Sequence, residues 1–367
     1  MTTIDVETLR AWLEEGRPVT ILDVRPTAER AEWAIPGSIH VNAYDALRAH
    51  DPAALADVDV PSDGPVVTVC AAGKTSQIAA ELLATRGIEA LSLEGGMKAW
   101  SLAWNTAEVP VPAHDVRVIQ VRRTGKGCLS YLIGAKDEAM MIDASLDPQV
   151  YLDLASQYGW QITSVLDTHI HADHLSRSRQ LAERSGAMLF LPKKPRVSFP
   201  FTPIRDGGTV ATPMMLLTAL HTPGHTREST CYLLNNAILL TGDTLFPTSI
   251  GRPDLHADEQ EARARSSLLY HSLHKLLALP TETLVLPGHA SQPVPFDGEP
   301  VVARLSEIDE HVGLLHETQT VFVETLVRRL PPTPPNYERI TRLNEAGLMP
   351  ESDVTELEAG ANRCAIS

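Results

Sequence analysis

The chain of 367 residues is 43% hydrophobic and 21% charged, with a formal net charge of -15. That length allows two or three domains with ample core. The acidic balance argues against nucleic acid or an anionic membrane as partner and leaves room for a small anionic substrate in a local basic pocket. No apolar run reaches the roughly 18 residues of a spanning helix, and M-T-T-I-D-V-E-T-L-R has neither the basic start nor the apolar stretch of a signal peptide. Cys70, Cys128, Cys231 and Cys364 are too widely spaced for a disulfide framework. A cytoplasmic location is expected.

Up to about Trp104, short apolar runs alternate with helical stretches. Val19–Val24, Val66–Cys70 and Ala90–Leu93 read as buried strands, with helices over Ser76–Arg86 and Met97–Ser101. This alternation predicts a parallel sheet covered on both faces. Residues 1–107 are taken as the first domain and the proline-containing stretch 108–115 as a linker. Strands then follow one another at Val116–Val121, Cys128–Gly134 and Ala139–Asp143, as in a meander. Next come a helix near Pro148–Tyr158, a strand at Ser164–His169 and a helix over Leu175–Ser185. Strands at Met215–His221, Cys231–Leu234, Ala237–Asp243 and Thr283–His289, with a helix over Arg263–Ala278, complete a mixed sheet with helices outside. Val301–Arg329 reads as amphipathic helix, Leu330–Asn336 breaks it, and Tyr337–Ala346 is helical again. The second domain is set at 116–330, with a helical extension at 331–367 packing on it.

Four side chains able to hold a metal crowd into T-H-I-H-A-D-H: His169, His171, Asp173 and His174. Single donors arrive later: His225 in T-P-G-H-T, Asp243 in T-G-D-T-L-F and His289 in L-P-G-H. Each follows an apolar run, and each is preceded by glycine, which lets backbones approach closely. One histidine alone is more often a packing residue than a ligand. That reading is kept for His221, His256, His271, His274, His311 and His316, but it does not suit seven donors at strand ends.

H-x-H-x-D-H, G-H, G-D and G-H in this order resemble the metal pattern of the metallo-β-lactamase superfamily, over residues 116 to about 290. The resemblance implies an αβ/βα four-layer sandwich with the metals at one edge of two packed sheets. Two ligand arrangements of that superfamily fit. In glyoxalase II-like hydrolases, one zinc would sit on His169, His171, His225 and Asp243. A second would sit on Asp173, His174, Asp243 and His289, and the pair would activate a water for thioester hydrolysis. In persulfide dioxygenases, one Fe(II) per chain would be held by His169, His225 and Asp243, a 2-His-1-carboxylate set with open positions. His171, Asp173, His174 and His289 would then hold water or orient the ligands. The donors leave both arrangements open. G-R-P-D at Gly251–Asp254 and A-N-R-C-A at Ala361–Ala365 resemble stretches of the persulfide dioxygenases, which makes Arg252 a candidate for binding a substrate carboxylate.

The other chemical signal is V-V-T-V-C-A-A-G-K-T-S. It puts Cys70 between a strand and a helix N-terminus, where backbone N–H groups favour a thiolate and Lys74 adds positive charge. C-x5-R is absent, because Ser76 stands where that arginine would be, and Thr68 replaces the first glycine of a nucleotide-binding loop. D-V-R at Asp23–Arg25, A-I-P-G-S-I-H at Ala34–His40 and L-E-G-G-M-K-A-W at Leu93–Trp100 resemble the rhodanese domain, with Cys70 at the position of its sulfur-carrying cysteine. Rhodaneses often carry C-R-x-G-x-R in that loop. Here Ala71 and Thr75 take the arginine places, which favours a thiol-based sulfur donor or acceptor.

The combination implies α/β architecture throughout and a shared sulfur intermediate, since fusion raises its local concentration. The expected function is oxidation of a low-molecular-weight thiol persulfide, such as glutathione persulfide, by O2 to sulfite and thiol in hydrogen sulfide metabolism. Sulfur transfer through Cys70 would be coupled to it. The alternative is a two-zinc thioester hydrolase with an appended sulfur carrier. A homodimer is the default assembly.

Overall fold

The computed structural model describes residues 3–61, 64–111, 115–193, 196–351, 353–358, 360 and 363–366. Strands β1 (Thr3–Ile4), β2 (Thr20–Asp23), β3 (Ile39–His40), β4 (Val66–Val69) and β5 (Ala90–Leu93) form a parallel sheet in the order β1-β5-β4-β2-β3. Helices α1 (Val6–Glu14), α2 (Thr27–Glu32), α3 (Tyr44–Arg48), α4 (Lys74–Thr85) and α5 (Gly96–Trp100) alternate with these strands. Strand side chains point alternately to opposite faces. Val66 accordingly packs with Leu22, Ala79 and Leu83 in one core, and Val67 with Leu9, Leu93 and Trp100 in the other. Helix α4 begins at Lys74, two residues before the expected Ser76, because Gly73 turns into it at φ 80°.

The rest of the chain builds two facing sheets. The first contains β6 (Asn105–Val109), β7 (Arg117–Arg123), β8 (Cys128–Ala135), β9 (Glu138–Ile142), β10 (Gln161–Leu166), β11 (Met188–Pro192) and β12 (Thr202–Ile204), in sequence order across the sheet. The second contains β13 (Thr209–Ala211), β14 (Leu216–His221), β15 (Thr230–Leu234), β16 (Ile238–Gly242), β18 (Leu284–Pro287) and β19 (Ala303–Arg304). Between them Ile133, Met140 and Ile142 pack on Leu217, Tyr232 and Leu240. Helices α6 (Pro148–Gln157) and α7 (Ser178–Ser185) cover the first sheet through Leu154 and Leu181. Helices α8 (Glu259–Leu277), α9 (Leu305–His311) and α10 (Gln319–Arg328) cover the second through Leu269, Ile308 and Phe322. This is the expected αβ/βα sandwich. Each large aliphatic side chain buried in it contributes about 1.5–3 kcal/mol.

Three expectations change. Residues 108 and 109, read as linker, belong to β6, which pairs with β7 from Asn105 to Val109; Ala107 and Val109 turn inward, and the first proline comes only at 110. Residues 112–114 of that stretch lie outside the described residues. Val301–Arg329 is not one helix. It divides into β19, α9, a short 3-10 turn at Gly313–His316 and α10, because β19 pairs with β18 and Thr318 caps α10 by accepting from Val321 N. Helix α7 starts at Ser178 rather than Leu175. The N–H groups of Leu175, Ser176 and Arg177 go instead to Glu358, Asn344 and Ala144.

The C-terminal segment holds α11 (Tyr337–Ala346), α12 (Val354–Glu358) and β20 (Ala365–Ile366), which pairs with β17 (Ile250–Gly251). It packs Ile340 and Leu357 on Leu175. The N-terminal unit meets the sandwich where Trp33 Nε1 donates to Thr124 O at 3.1 Å and Phe296 joins the core around Trp100. No helix among the described residues is long and apolar enough to cross a membrane.

Candidate metal centre and cysteine loop

All seven donors picked out in the sequence are buried at the edge where the two sheets meet. The edge is stitched by Leu129 N donating to Gly288 O at 2.8 Å and Gly288 N donating to Gly242 O at 2.7 Å. The donors fall into overlapping groups, and Asp243 and His289 also form one with Cys364. His169, His225 and Asp243 bring one ligand atom each within 4.8 Å of one another. Asp173, His174 and His289 form a second group with Cys128, and His171 a third with Asp143 and Asp167.

Hydrogen bonds fix the first group. Thr168 Oγ1 donates to Asp143 Oδ2, so it accepts from His169 Nδ1 at 2.9 Å and leaves His169 Nε2 with its lone pair inward. His225 Nδ1 donates to Arg252 O at 2.8 Å, which likewise frees Nε2. Asp243 Oδ2 stands 3.8 Å from His169 Nε2 and 3.5 Å from His225 Nε2. His169 Nε2 and Asp243 Oδ2 are buried without a hydrogen-bond partner among the described residues. Two imidazole lone pairs and a carboxylate oxygen aimed at one point fit a divalent first-row metal. Gly242 is required here. Its φ is 50°, and a Cβ would lie 2.4 Å from Thr168 Oγ1, the atom that orients His169.

The remaining donors contact one another or Asp143, although His171 Nδ1, His174 Nε2 and His289 Nε2 are also buried without a hydrogen-bond partner among the described residues. His289 Nδ1 lies 2.5 Å from Asp243 Oδ1, and its Nε2 lies 2.9 Å from Asp173 Oδ2. His174 Nδ1 lies 3.0 Å from Asp173 Oδ1. His171 Nε2 faces Asp143 Oδ1 at 3.2 Å. Burial lowers the affinity of His169 and His225 for a proton, which keeps them neutral as ligands must be. Burial alone would raise Asp243; His289 outweighs it and holds the carboxyl below its usual range. His289 goes the other way. Burial would lower it, but Asp173 and Asp243 raise it well above the ordinary histidine value.

Cys128 escaped the sequence reading. Its Sγ is 3.5 Å from Asp173 Oδ2 and 3.7 Å from His174 Nδ1. Burial pushes the thiol up and His174 more than reverses this, so its pKa is lowered. The sequence signal, a cysteine opening a strand, was too weak without the fold. Arg252 takes the opposite correction. It is fully buried, and its guanidinium donates to Asp254, Pro331 O, Pro332 O and Arg363 O. It therefore anchors the proline break and the tail and offers no donor to a substrate carboxylate. Of A-N-R-C-A, residues 361 and 362 lie outside the described residues, and Cys364 is buried near Asp243 and His289.

A cavity of about 580 Å³ reaches His225. Ile170, Ile204 and Leu255 give it an apolar wall, and Lys193 and Arg205 stand at its rim with no ion pair among the described residues.

Cys70 directly follows β4 and is 2% exposed. Its Sγ lies 3.3 Å from Ser76 Oγ, itself 2.9 Å from Ser92 Oγ. The loop rests on α5: Met97 N donates to Cys70 O and Lys98 N to Ala71 O. A Cβ on Gly96 would come within 2.2 Å of Cys70 O, so only glycine permits that packing. Lys74 is exposed in the first turn of α4. Arg25 of D-V-R is structural: it pairs with Asp23 at 2.7 Å and donates to Trp33 O.

Comparison with known proteins gives the class. Residues 5–103 match the rhodanese-like domain and residues 123–289 the metallo-beta-lactamase superfamily. The chain is thus a rhodanese-like domain followed by a metallo-beta-lactamase fold. Among curated relatives, the hydroxyacylglutathione hydrolase of Methylobacillus flagellatus is 31% identical over 161 residues, covering 43% of this chain and 60% of that protein. The one from Maricaulis maris is 32% identical over 171 residues, covering 44% and 63%. The chain spans less than two thirds of the length of these relatives. Among solved structures, a metallo-beta-lactamase from Staphylococcus aureus subsp. aureus COL aligns with TM-score 0.59 and 25% identity over 64% of this chain and 75% of that one. ETHE1 from Myxococcus xanthus aligns with TM-score 0.54 and 30% identity over 63% of this chain and 98% of that one.

Proposed function

We propose that the protein oxidises a low-molecular-weight thiol persulfide with O2 at a single Fe(II) site and couples this to sulfur transfer through Cys70. The observation that carries the reading is the convergence of His169 Nε2, His225 Nε2 and Asp243 Oδ2, with His169 Nε2 and Asp243 Oδ2 buried and without a hydrogen-bond partner among the described residues. Bound there, Fe(II) would supply Lewis acidity and the redox capacity to activate dioxygen. The balanced reaction is R–S–SH + O2 + H2O → R–SH + HSO3⁻ + H⁺. The sulfane sulfur is oxidised, O2 is reduced, and the S–S bond breaks with the thiol leaving.

The chain's own groups have defined tasks. Thr168 and the Arg252 carbonyl hold the two imidazoles in the ligating tautomer. His289 occupies Asp243 Oδ1, which leaves Oδ2 for the metal. Lys193 and Arg205 would attract the carboxylates of a glutathione-like thiol, and Ile170, Ile204 and Leu255 would cover its apolar part. At the other site Cys70 would carry sulfur as an enzyme persulfide, either delivering it to a small thiol for oxidation or passing it to sulfite to give thiosulfate. Ser76 Oγ is placed to donate to that sulfur. The expected site is cytoplasmic, and the substrate partners are the persulfide and O2.

One observation favours the second reading, a two-zinc thioester hydrolase. Cys128, Asp173, His174 and His289 have ligand atoms within 4.8 Å of one another, and the curated relatives above are named hydroxyacylglutathione hydrolases. Loading separates the two. Iron-loaded protein is expected to form sulfite from glutathione persulfide, and zinc-loaded protein to leave a glutathione thioester intact. Two zincs per chain with thioester turnover would replace the first reading by the second.

A further inference from the structure

We propose that Asn344 and Glu358, on the C-terminal segment, are positioning residues for the metal centre. The inference rests on the reading that His169, His225 and Asp243 hold a metal. The turn over residues 171–176 lies outside any helix or strand, so its backbone groups need partners from elsewhere. Two buried side chains supply them. Asn344 Nδ2 donates to His171 O at 2.8 Å and to His174 O at 2.9 Å, while its Oδ1 accepts from Ser176 N at 2.9 Å. Glu358 Oε1 accepts from Leu175 N at 2.8 Å.

The clamped turn carries Asp173, and from there a continuous set of contacts reaches the proposed ligands. Asp173 Oδ2 lies 2.9 Å from His289 Nε2, and His289 Nδ1 lies 2.5 Å from Asp243 Oδ1. The orientation of Asp243 therefore depends on a turn whose shape is set by the C-terminal segment. Removing a group that orients metal ligands from outside typically costs about 10–100-fold in metal affinity. Glu358 also links the N-terminal unit to this turn. Its Oε2 accepts from Arg123 Nη2 at 2.6 Å, and Arg123 Nε donates to Ser101 O at 2.6 Å, at the end of the α5 helix that backs the Cys70 loop.

The test uses full-length protein and cobalt(II) as the probe. Affinity and visible absorption are measured for wild type, Asp243→Ala, Asn344→Ala and Glu358→Gln, and thermal unfolding is followed with and without metal. Asn344→Ala is expected to bind cobalt about 10–100-fold more weakly, with a shifted visible band and a smaller metal-induced stabilisation. Glu358→Gln keeps an acceptor for Leu175 N, so a smaller loss in the same direction is expected. Wild-type affinity and spectrum in folded Asn344→Ala overturn the proposal. Unchanged affinity in Asp243→Ala would instead sink the metal-site reading itself. Should the variants not fold, amide exchange at Leu175 and Ser176 in wild type decides. Linkage requires metal loading to slow it if turn and site are coupled, and equal rates overturn the proposal.

Discussion

The two reactive regions are built in opposite ways. The Cys70 site is more local: one strand end, one short loop and the starts of α4 and α5 shape its loop, and Ser76 of α4 meets its sulfur. The metal centre is distributed. Its donors come from the ends of β10, β16 and β18 and from the loop before β15, and their orientation depends on residues as distant in sequence as Asn344 and Glu358. A local site is disabled most readily by changes close to it in sequence. A distributed one is exposed to changes far along the chain.

The sharpest break of that contrast comes from single substitutions at each centre. Asp243→Ala is expected to abolish tight metal binding, read by metal analysis, while sulfur loading of Cys70, read by intact mass, persists. Cys70→Ser should do the reverse, losing the enzyme persulfide and keeping the metal. Loss of both functions in either variant would show that the centres are not independent.

Glu358→Gln comes next. It leaves Arg123 and Arg177 without their buried counter-charge, and such breaks cost about 3–5 kcal/mol. Burial would raise the Glu358 pKa, but Arg123 and Arg177 outweigh it and lower it. A carboxylate lowered on folding contributes stability above its unfolded value of about 4.3 and loses it as pH falls through the folded value. Denaturant midpoints of wild type and variant should therefore differ at neutral pH and converge in acid below that range. A gap unchanged by acid would contradict the assignment.

Gly242→Ala is expected to cost about 1–3 kcal/mol from the positive φ alone, and to weaken metal binding by displacing Thr168. Calorimetry and metal titration check the two parts. At the small end, Glu261→Gln weakens an exposed pair with Arg227 and a partly buried one with Arg265 beside the cavity, and should change stability by about 1 kcal/mol or less. A large effect there would mean that these arginines help to build the cavity.

The same contrast explains what was legible in the sequence. The layered α/β architecture could be read because apolar runs and their spacing report local periodicity. The seven donors could be read because H-x-H-x-D-H and the G-H and G-D steps are short motifs. Their division into groups could not. It depends on Thr168 choosing Asp143 as its acceptor and on His289 bridging two carboxylates. Cys128 enters the centre only through sheet pairing, and Arg252 is consumed by carbonyls some eighty and more residues away. The late start of α7 could not be read for a similar reason, since the stretch before it is held by Glu358 and Asn344 from far along the chain.

The most direct test of the central claim is oxygen uptake by anaerobically purified, Fe(II)-loaded protein given glutathione persulfide. The account predicts one O2 consumed per sulfite formed, with uptake lost in Asp243→Ala and retained in Cys70→Ser. No uptake by protein that demonstrably holds one iron per chain would contradict it.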